Sequence, residues 1–419
     1  MILDLTLFDL NPNTTVSAGL SAEMKTYYSD YLIDNAKPNL VHDQFGQKHP
    51  IPTNGGKTIE FRKFVPFSKA VVPLSEGVTP DGGSLSVTNV TATVDQYGYY
   101  VTMSDVLMLT AIDNTLLETT RLLGSQAGST LDTVTREVLN GGTSVMYAGG
   151  KNARASIDAD SKLSVDDVFR AARFLKTQNA PKIDGSYVAI VHPDVAYDLM
   201  RDDEWVDVHK YSATTEIFEG EIGKLAGIRF VETTEAKIFH ASDLVASSRT
   251  LSIADYSKLT SAGEVADGRG EGSLYRITVG ETIDVNDISL IDRPVLIKNG
   301  DAVTEAVVCG FDAASKYIYL KDEPKSAPTV GNVIYPGDAG FDGRDVYSTL
   351  VLGANAYGVT EISGGGLTHI VKQLGSGGTA DPLNQRATAG WKGTKTAERL
   401  VENYMIRIES ASTFQSGAN

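Results

Sequence analysis

Alternating apolar and polar residues mark two β-strands in the first quarter of the chain. In residues 57–65, Ile59 and Phe61 alternate with charged residues, so one face of such a strand can be buried while the other meets water. Residues 85–104 are rich in Val, Thr and Tyr, which favour strands. Prolines and glycines between the two runs predict a loop, and we expect a long two-stranded hairpin. Such a hairpin is marginal alone in water, so something must cover it.

A helical period follows in residues 113–140. Asp113 is suited to cap the start, and the two glycines after residue 140 predict the end. At 1.5 Å per residue this helix would span about 42 Å. Its apolar stripe has spacings of three, four and seven residues and consists of Leu116, Leu123, Ala127, Leu131, Val134 and Val138.

Gly124 and Gly128 lie four residues apart on this helix, and therefore on one face. Each weakens a helix by roughly 1 kcal/mol relative to alanine. One interpretation is that another backbone approaches this face closely, which makes both glycines candidates for contacts between subunits. The other is that they are tolerated defects, and the sequence leaves the two open.

An α/β section occupies residues 164–231. Ser164 and Asp167 have the spacing of a capping box, which predicts a helix with Val168, Phe169, Ala172 and Leu175 facing inward. A buried strand at 186–191, a second helix after His192 and a strand at 225–231 should follow.

Residues 241–342 differ in character, because short strand-like runs alternate there with Gly, Asn, Asp and Pro. This pattern is typical of a small, separate β-barrel or sandwich. After it the α/β pattern returns, and a strong strand closes the chain at 399–410. At the other end, residues 19–35 predict one amphipathic helix within an otherwise extended arm. The predicted fold class is α+β.

The length of 419 residues exceeds one compact core and predicts two or three domains. With 42% hydrophobic and 21% charged residues, the composition fits a soluble globular protein. No stretch approaches the roughly 20 apolar residues of a membrane span, and the first residues lack the pattern of a signal peptide. The single cysteine, Cys309, excludes an intrachain disulfide and predicts a buried thiol in a reducing compartment.

The net charge of −16 argues against a sequence-reading DNA-binding protein, because an acidic chain gains nothing from counterion release. A wall that encloses DNA without adhering to it is compatible with this charge. Many acidic enzymes carry a similar net charge, so this charge is compatible with a protein that encloses DNA but does not indicate one.

No motif for chemistry stands out. None of the six histidines has metal-ligand spacing, and His192 has no nucleophile nearby in sequence, which favours a turn residue. The run GRGEGS at 268–273 resembles a nucleotide loop only weakly, and a flexible loop is favoured. The acidic run 202–204 favours a solvated helix end. The sequence therefore predicts no catalytic, cofactor-binding or metal-binding residues, and no enzyme.

A modest basic strip lies on the predicted hairpin of this acidic chain. Its partner is either an acidic surface on another copy of the chain or simply solvent, since charges also protect strand edges. The candidates for contacts between subunits in this region are Lys57, Arg62, Lys63, Lys69 and Glu76.

Long distinctive strings in this sequence resemble the major capsid protein family of N4-like and related tailed bacteriophages. The resemblance covers most of residues 20–239 and 345–410, whereas typical members lack the hundred residues between these parts. The strings include KPNLVHDQFGQKHPIPTNGGKTIEFRKF (37–64), EGVTPDGGSLSVTNVTATVDQYGYYVTMSDV (76–106), LLGSQAGSTLDTVTREVLNGGT (122–143), YVAIVHPDVAYDL (187–199) and YGVTEISGGGLTHIVKQLGSGGTADPLNQRATAGWKGTKTAERL (357–400).

The resemblance implies the Johnson fold, first seen in phage Hong Kong ninety-seven. It implies an N-terminal arm at 1–54, an extended loop at 55–105, a peripheral domain at 106–164 with the long helix 113–140 as its spine, an axial domain at 165–240 and 343–384, an all-β insertion at 241–342 and a peripheral C-terminal strand at 385–419.

The resemblance also implies a function: self-assembly as pentamers and hexamers into an icosahedral head around double-stranded DNA, in the virion, after assembly in the bacterial cytoplasm. A separate scaffolding protein, a portal and a cement protein are the expected partners, with neither membrane nor cofactor. The insertion either decorates the outside or binds host glycans. The alternatives are an encapsulin-like compartment shell and a soluble acidic enzyme.

Overall fold

A computed structural model describes the chain at residues 32, 35–36, 40–50, 57–64, 87–110, 115–205, 223–240, 243–299 apart from 247, 302–361 apart from 338, 366–374, 376 and 381–415, and at single positions between 67 and 85. The described part is a mixed α/β structure with few helices and many strands. The predicted helix at 19–35 lies almost entirely outside these residues.

The described helices are α1 (Asp105–Thr110), α2 (Thr115–Asn140), α3 (Val165–Thr177) and α4 (Pro193–Met200). The strands are β1 (Gln47–His49), β2 (Thr58–Phe64), β3 (Val87–Thr93), β4 (Asp95–Ser104), β5 (Val145–Tyr147), β6 (Tyr187–Val191), β7 (Lys224–Leu225), β8 (Ile228–Glu232), β9 (Ile238–Phe239), β10 (Leu251–Lys258), β11 (Gly268–Gly270), β12 (Tyr275–Val279), β13 (Pro294–Asn299), β14 (Ala302–Asp312), β15 (Tyr317–Leu320), β16 (Val333–Pro336), β17 (Val346–Leu352), β18 (Tyr357–Thr360), β19 (Leu367–Lys372), β20 (Arg386–Lys395), β21 (Ala397–Arg399) and β22 (Met405–Ser410).

The chain divides into two compact units. Unit 1 comprises residues 1–139 and 357–400, and unit 2 comprises residues 140–356 and 401–419. The strand predicted at 399–410 exists only as β22 (Met405–Ser410), because a helical turn at Glu402–Tyr404 separates it from β21, and β20 and β21 precede it. The strands β20 and β21 belong to unit 1, and β22 belongs to unit 2.

In unit 1, β2 and β3 form an antiparallel hairpin in which Phe61 pairs with Val90. The hairpin ends at Thr93, so the prediction of one strand over 85–104 is wrong. The second half of that run, β4, pairs along its whole length with β20, which lies far away in the sequence. Together with β19 these strands form a three-stranded sheet in the order β19-β20-β4.

The helix α2 packs its apolar face in unit 1. Leu123, Ala127 and Leu131 are buried in one cluster with Leu367 of β19 and Trp391 of β20. The stripe drifts along the helix, since its later predicted positions are only half-buried and Leu139 is buried instead. The predicted cap at Asp113 lies outside the described residues.

Ionisable side chains are also buried beside α2. The ring of His42 bonds Asp132 of α2 at 2.7 Å, and neither side chain is exposed to water. The backbone N–H of His42 donates to the same carboxylate at 2.8 Å. Next in the chain, Asp43 contacts Lys395 at the end of β20. These contacts fasten the segment around residue 42 to the core of unit 1.

In unit 2, a sheet runs in the order β5-β22-β17-β6-β8-β7. The helix α3 begins at the predicted capping box, because Ser164 accepts the Asp167 N–H and Asp167 accepts the Ser164 N–H. Its residues Val165, Val168, Ala171, Ala172 and Leu175 face the core. The inward prediction for Phe169 is wrong: its side chain is 50% exposed. Phe169 and Arg170 lie on the solvent side of the helix, between the buried residues Val168 and Ala171.

Residues 251–336 of unit 2 form a sheet of their own. The pairing runs β14-β13-β16-β10-β12-β15 and returns to β14, so six strands close into a barrel, and β11 pairs with β14 beside it. The barrel interior is filled by its own apolar side chains, among them Ile277, Val295, Phe311 and Ile318. The prediction of a flexible loop at GRGEGS (268–273) is wrong, because residues 268–270 form β11.

Candidate assembly surfaces

The hairpin β2–β3 of unit 1 has one buried side. Ile59 and Phe61 pack there with Ala92 and Val94. The Phe61 ring meets the ring of His49 edge to face, with 4.9 Å between the ring centroids. Alternation along the strand puts Ile59 and Phe61 on the same side, so the base of the hairpin is fixed by packing within unit 1.

The predicted contact residues of the hairpin lie on its exposed parts. Arg62 of β2 is exposed and pairs across the hairpin with Asn89, while Lys57 is exposed just before β2. Lys63 is the next residue of β2. Lys69 is exposed at one of the single described positions between β2 and β3, and Glu76 lies outside the described residues. The structure thus places Arg62 and Lys63 on β2 and Lys57 immediately before it.

Large apolar side chains are exposed around the same hairpin. Val71 is 79% exposed, and Phe67, Leu85 and Val87 are also open to water. Single exposed apolar residues are ordinary on protein surfaces. Four of them in and beside the segment that joins β2 to β3 make this segment a candidate contact region.

A second candidate surface is the outer face of the sheet β19-β20-β4. Tyr100 is 70% exposed there, and it neighbours the exposed Ile370 in a shallow groove of about 660 Å³. The groove is also lined by three exposed cations, Lys372, Arg386 and Lys392. This face therefore combines aromatic surface with positive charge on an acidic chain.

The helix α2 covers only the other face of the sheet β19-β20-β4, which leaves the face with Tyr100 exposed. Trp391 is buried against α2, and its indole N–H donates to the Gln126 side chain at 2.6 Å. Because successive strand residues point to opposite faces, the neighbours of Trp391 on β20, including Lys392, face outward.

The two helix glycines are both buried in α2. A Cβ added to Gly124 would lie 2.7 Å from the carbonyl oxygen of Leu32. The backbone that comes close to Gly124 therefore belongs to the same chain, at Leu32. A contact of Gly124 or Gly128 with another subunit stays a prediction.

The residues considered for chemistry have structural roles in unit 2. His192 caps α4, where its Nδ1 accepts the Asp194 N–H at 3.2 Å. Burial lowers the pKa of His192, although the nearby Asp194 carboxylate opposes this shift. Cys309 is half-buried rather than buried, and burial raises the pKa of its thiol.

Within the described ranges, no three His, Cys, Asp or Glu side chains gather as they would around a metal ion. Across the same part of the chain, no helix has both the length and the apolar character needed to cross a membrane.

Sequence reasoning identified the charges of the hairpin and missed the exposed apolar groups. Tyr100 and Ile370 have largely apolar side chains, which the sequence alone would place in the core. They are exposed because α2 covers the other face of their sheet. The run Tyr97-Gly98-Tyr99-Tyr100 was the available signal, because consecutive tyrosines in a strand must place one on each face.

A family model described as "Phage capsid protein" matches residues 88–288 of this chain. No curated protein matches the sequence. The fold is similar to that of the capsid of Ralstonia phage GP4, with a TM-score of 0.50 and 12% sequence identity over 89% of this chain and 86% of that chain.

Two further solved structures are similar at lower TM-scores. The capsid structure of the cyanophage P-SCSP1u has a TM-score of 0.49 and 13% identity over 88% of this chain and 87% of that chain. The holo-SrpI encapsulin complex from Synechococcus elongatus PCC 7942 has a TM-score of 0.43 and 8% identity over 89% of this chain and 87% of that chain.

Proposed function

We propose that this chain is the major capsid protein of a tailed bacteriophage, the kind of protein that the family model matching residues 88–288 describes. Its copies assemble as pentamers and hexamers into the icosahedral head, which encloses double-stranded DNA in the virion. The observation that carries the proposal is the family match, since it spans β3, α2 and part of the barrel. The fold shared with the Ralstonia phage capsid supports it.

Within this proposal the chain has the Johnson fold. The arm is residues 1–54 and the extended loop lies within 55–105. The peripheral domain comprises 106–164, with α2 as its spine, and the C-terminal region 385–419. The axial domain comprises 165–240 and 343–384, with the 241–342 region as its insertion. The self-contained core of the barrel supports that last assignment. N4-like phages are the proposed subgroup.

Contacts between subunits form where the hairpin of one copy lies on an acidic surface of another copy, and the outer sheet face is a second contact surface. The exposed apolar residues around the hairpin and the aromatic groove bury surface that a lone chain leaves in water. Lys57, Arg62, Lys63, Lys69 and Glu76 set the register of the contact, because charge pairing discriminates more than it stabilises. Many weak contacts repeated by symmetry then give a stable shell.

The barrel faces outward and contacts neighbouring subunits or a cement protein. A separate scaffolding protein and a portal complete the assembly, which takes place in the bacterial cytoplasm. The net charge of −16 suits a wall that encloses DNA without adhering to it.

The test is to express the chain alone and with its neighbouring genes, and to image the products by electron microscopy. Closed shells or capsomer rings are expected, and shells made with the neighbouring genes should enclose nucleic acid. Shells filled with protein would instead identify a compartment of the encapsulin kind. A monodisperse monomer or dimer under every condition would contradict self-assembly.

Two variants test the surfaces separately. Arg62→Glu on the hairpin and Tyr100→Asp on the sheet face should each reduce the yield of shells while the circular dichroism of the subunit stays unchanged. Phe169→Ser is the matched control, because Phe169 is an exposed aromatic residue outside both surfaces. Equal shell yields for all three variants would remove both surfaces from the proposal.

A further inference from the structure

The contact between Asp43 and Lys395 joins two parts of unit 1 that lie 352 residues apart in the chain. Asp43 belongs to the turn that follows Leu40, and Lys395 is the last residue of β20. The lysine Nζ lies directly against Oδ2 of the aspartate. An amine and a carboxyl group are therefore held in contact at this point.

Both groups are enclosed by protein. The Lys395 side chain is 0% exposed and that of Asp43 is 9% exposed, although lysine is almost never fully buried. The pairs Lys151–Asp158 and Lys258–Glu323 are much more exposed to water. Since water is excluded, it neither solvates the Lys395 amine nor competes for the carboxyl carbon of Asp43.

The two oxygens of Asp43 have different partners. The Thr135 hydroxyl donates to Oδ1 at 2.6 Å, while Oδ2 faces the amine. A hydrogen-bond donor at Oδ1 stabilises the negative charge that develops there when a nucleophile attacks Cγ. Oδ2 is placed to receive protons from the nitrogen. The second partner of the amine is the Thr360 carbonyl oxygen at 3.4 Å.

We propose that Lys395 and Asp43 condense into an intrachain amide bond. One proton first passes from Nζ to Oδ2 across the contact, which gives a neutral amine and a carboxylic acid. Nζ then attacks Cγ, a second proton moves from nitrogen to Oδ2, and the Cγ–Oδ2 bond breaks. The products are one secondary amide and one water molecule, so no oxidant or other reactant is consumed.

A free amine and a free carboxylic acid condense very slowly in water, whereas two groups held in contact by the fold react as parts of one molecule. Reactants held in a near-attack geometry have effective molarities of about 10⁵–10⁸ M. The product ties the segment around Asp43 to β20 covalently. It acts like a disulfide in restricting the unfolded chain, in a protein whose only cysteine is Cys309.

The test is the intact mass of the purified full-length chain under denaturing conditions, where an ion pair dissociates. The expected mass is lower than the sequence mass by one water molecule, and proteolysis should release a branched peptide that contains both Asp43 and Lys395. The full sequence mass would show an ion pair only and overturn the proposal. A lost water without the branched peptide, as in succinimide formation at an Asp-Gly step, would overturn it equally.

Three variants sharpen the result. Lys395→Arg removes the primary amine and should restore the full mass. Asp43→Asn should lose one ammonia in place of one water and still give the branched peptide, which succinimide formation at this residue would not give. Lys392→Arg, on the exposed side of the same strand, is the matched control and should keep the loss of water. The mass of the unaltered chain decides the proposal even if Lys395→Arg does not fold.

Discussion

The ring of Phe61 fills the space that a side chain on Gly358 would need. A Cβ at Gly358 would lie 2.4 Å from Cε1 of Phe61, which is fully buried. The hairpin β2–β3 and the strand β18 therefore fit together because residue 358 has no side chain. This packing fixes the base of the hairpin and leaves its exposed residues available to a partner.

Gly358→Ala should lower the free energy of unfolding by about 1–3 kcal/mol, because the added methyl group overpacks the Phe61 ring. Chemical denaturation of the purified subunit measures this. Gly82→Ala is the control, since no atom lies within 4 Å of the Cβ it would add. Equal stability of the two variants would show that the hairpin is not held at Phe61.

Ser164→Ala should destabilise unit 2 by about 1 kcal/mol, because the first turn of α3 loses the hydroxyl that accepts the Asp167 N–H. Thermal unfolding followed by circular dichroism measures the change. Ser164→Thr retains a hydroxyl at the cap and should cost much less. A loss of the same size in both variants would assign the effect to something other than the cap.

Asp132→Ala should cost about 1–3 kcal/mol, because it leaves the buried ring and the backbone N–H of His42 without their hydrogen-bond partner. Urea titration of the subunit gives the value. Glu118→Ala breaks an exposed ion pair with Arg121 on the same helix and should leave stability nearly unchanged. If the two variants behave alike, the buried pair does not hold the segment around residue 42.

The stability of unit 2 should depend on the ionisation of Asp158. Hydrogen bonds from Lys151 and then Ser161 lower the pKa of this carboxyl from 3.8 to about 2. A lowered folded-state pKa gives stability above pH 3.8 that is lost as the pH falls towards 2. The pair is about one-third exposed, so we expect about 1 kcal/mol or less.

The comparison of Asp158→Asn with the unaltered chain measures this contribution. The difference in the free energy of unfolding should be constant above pH 5 or so and shrink as the pH falls below 4. A difference that stays constant down to pH 2 would remove the role of Asp158.

A fragment of residues 243–337 should fold by itself, because its strands close into a barrel around a core made of its own side chains. A cooperative thermal transition and slow amide exchange in β13 and β14 would confirm this. A fragment that stays disordered at low temperature would mean that the barrel needs the rest of unit 2.

Local patterns predicted much of the fold. The alternation around Phe61, the stripe at Leu123 and the cap at Ser164 depend on residues close in sequence, and the structure has a strand, a helix and a cap there. The single strand over 85–104 was wrong because its second half pairs with Arg386–Lys395, a partner that no local pattern reveals. Phe169 was misplaced because its neighbours Val168 and Ala171 define the buried stripe.

The candidate surfaces were predictable only in part. The cations Lys57 and Arg62 are visible in the sequence, because they belong to a short basic strip in a chain whose net charge is −16. Tyr100 and Ile370 become candidates only once α2 is seen to cover the opposite face of their sheet. Burial of Asp43 with Lys395 likewise depends on distant parts of the chain that meet in unit 1.

The position of β22 has a consequence for the order in which the nascent chain folds. This strand lies between β5 and β17, and Arg407 pairs with Val145. At about 5–20 residues per second, a ribosome needs roughly tens of seconds to reach β22 after it has made β5. The barrel can close during that interval, whereas the edges of β5 and β17 stay unpaired. The subunit is therefore most prone to aggregate just before its synthesis reaches Met405.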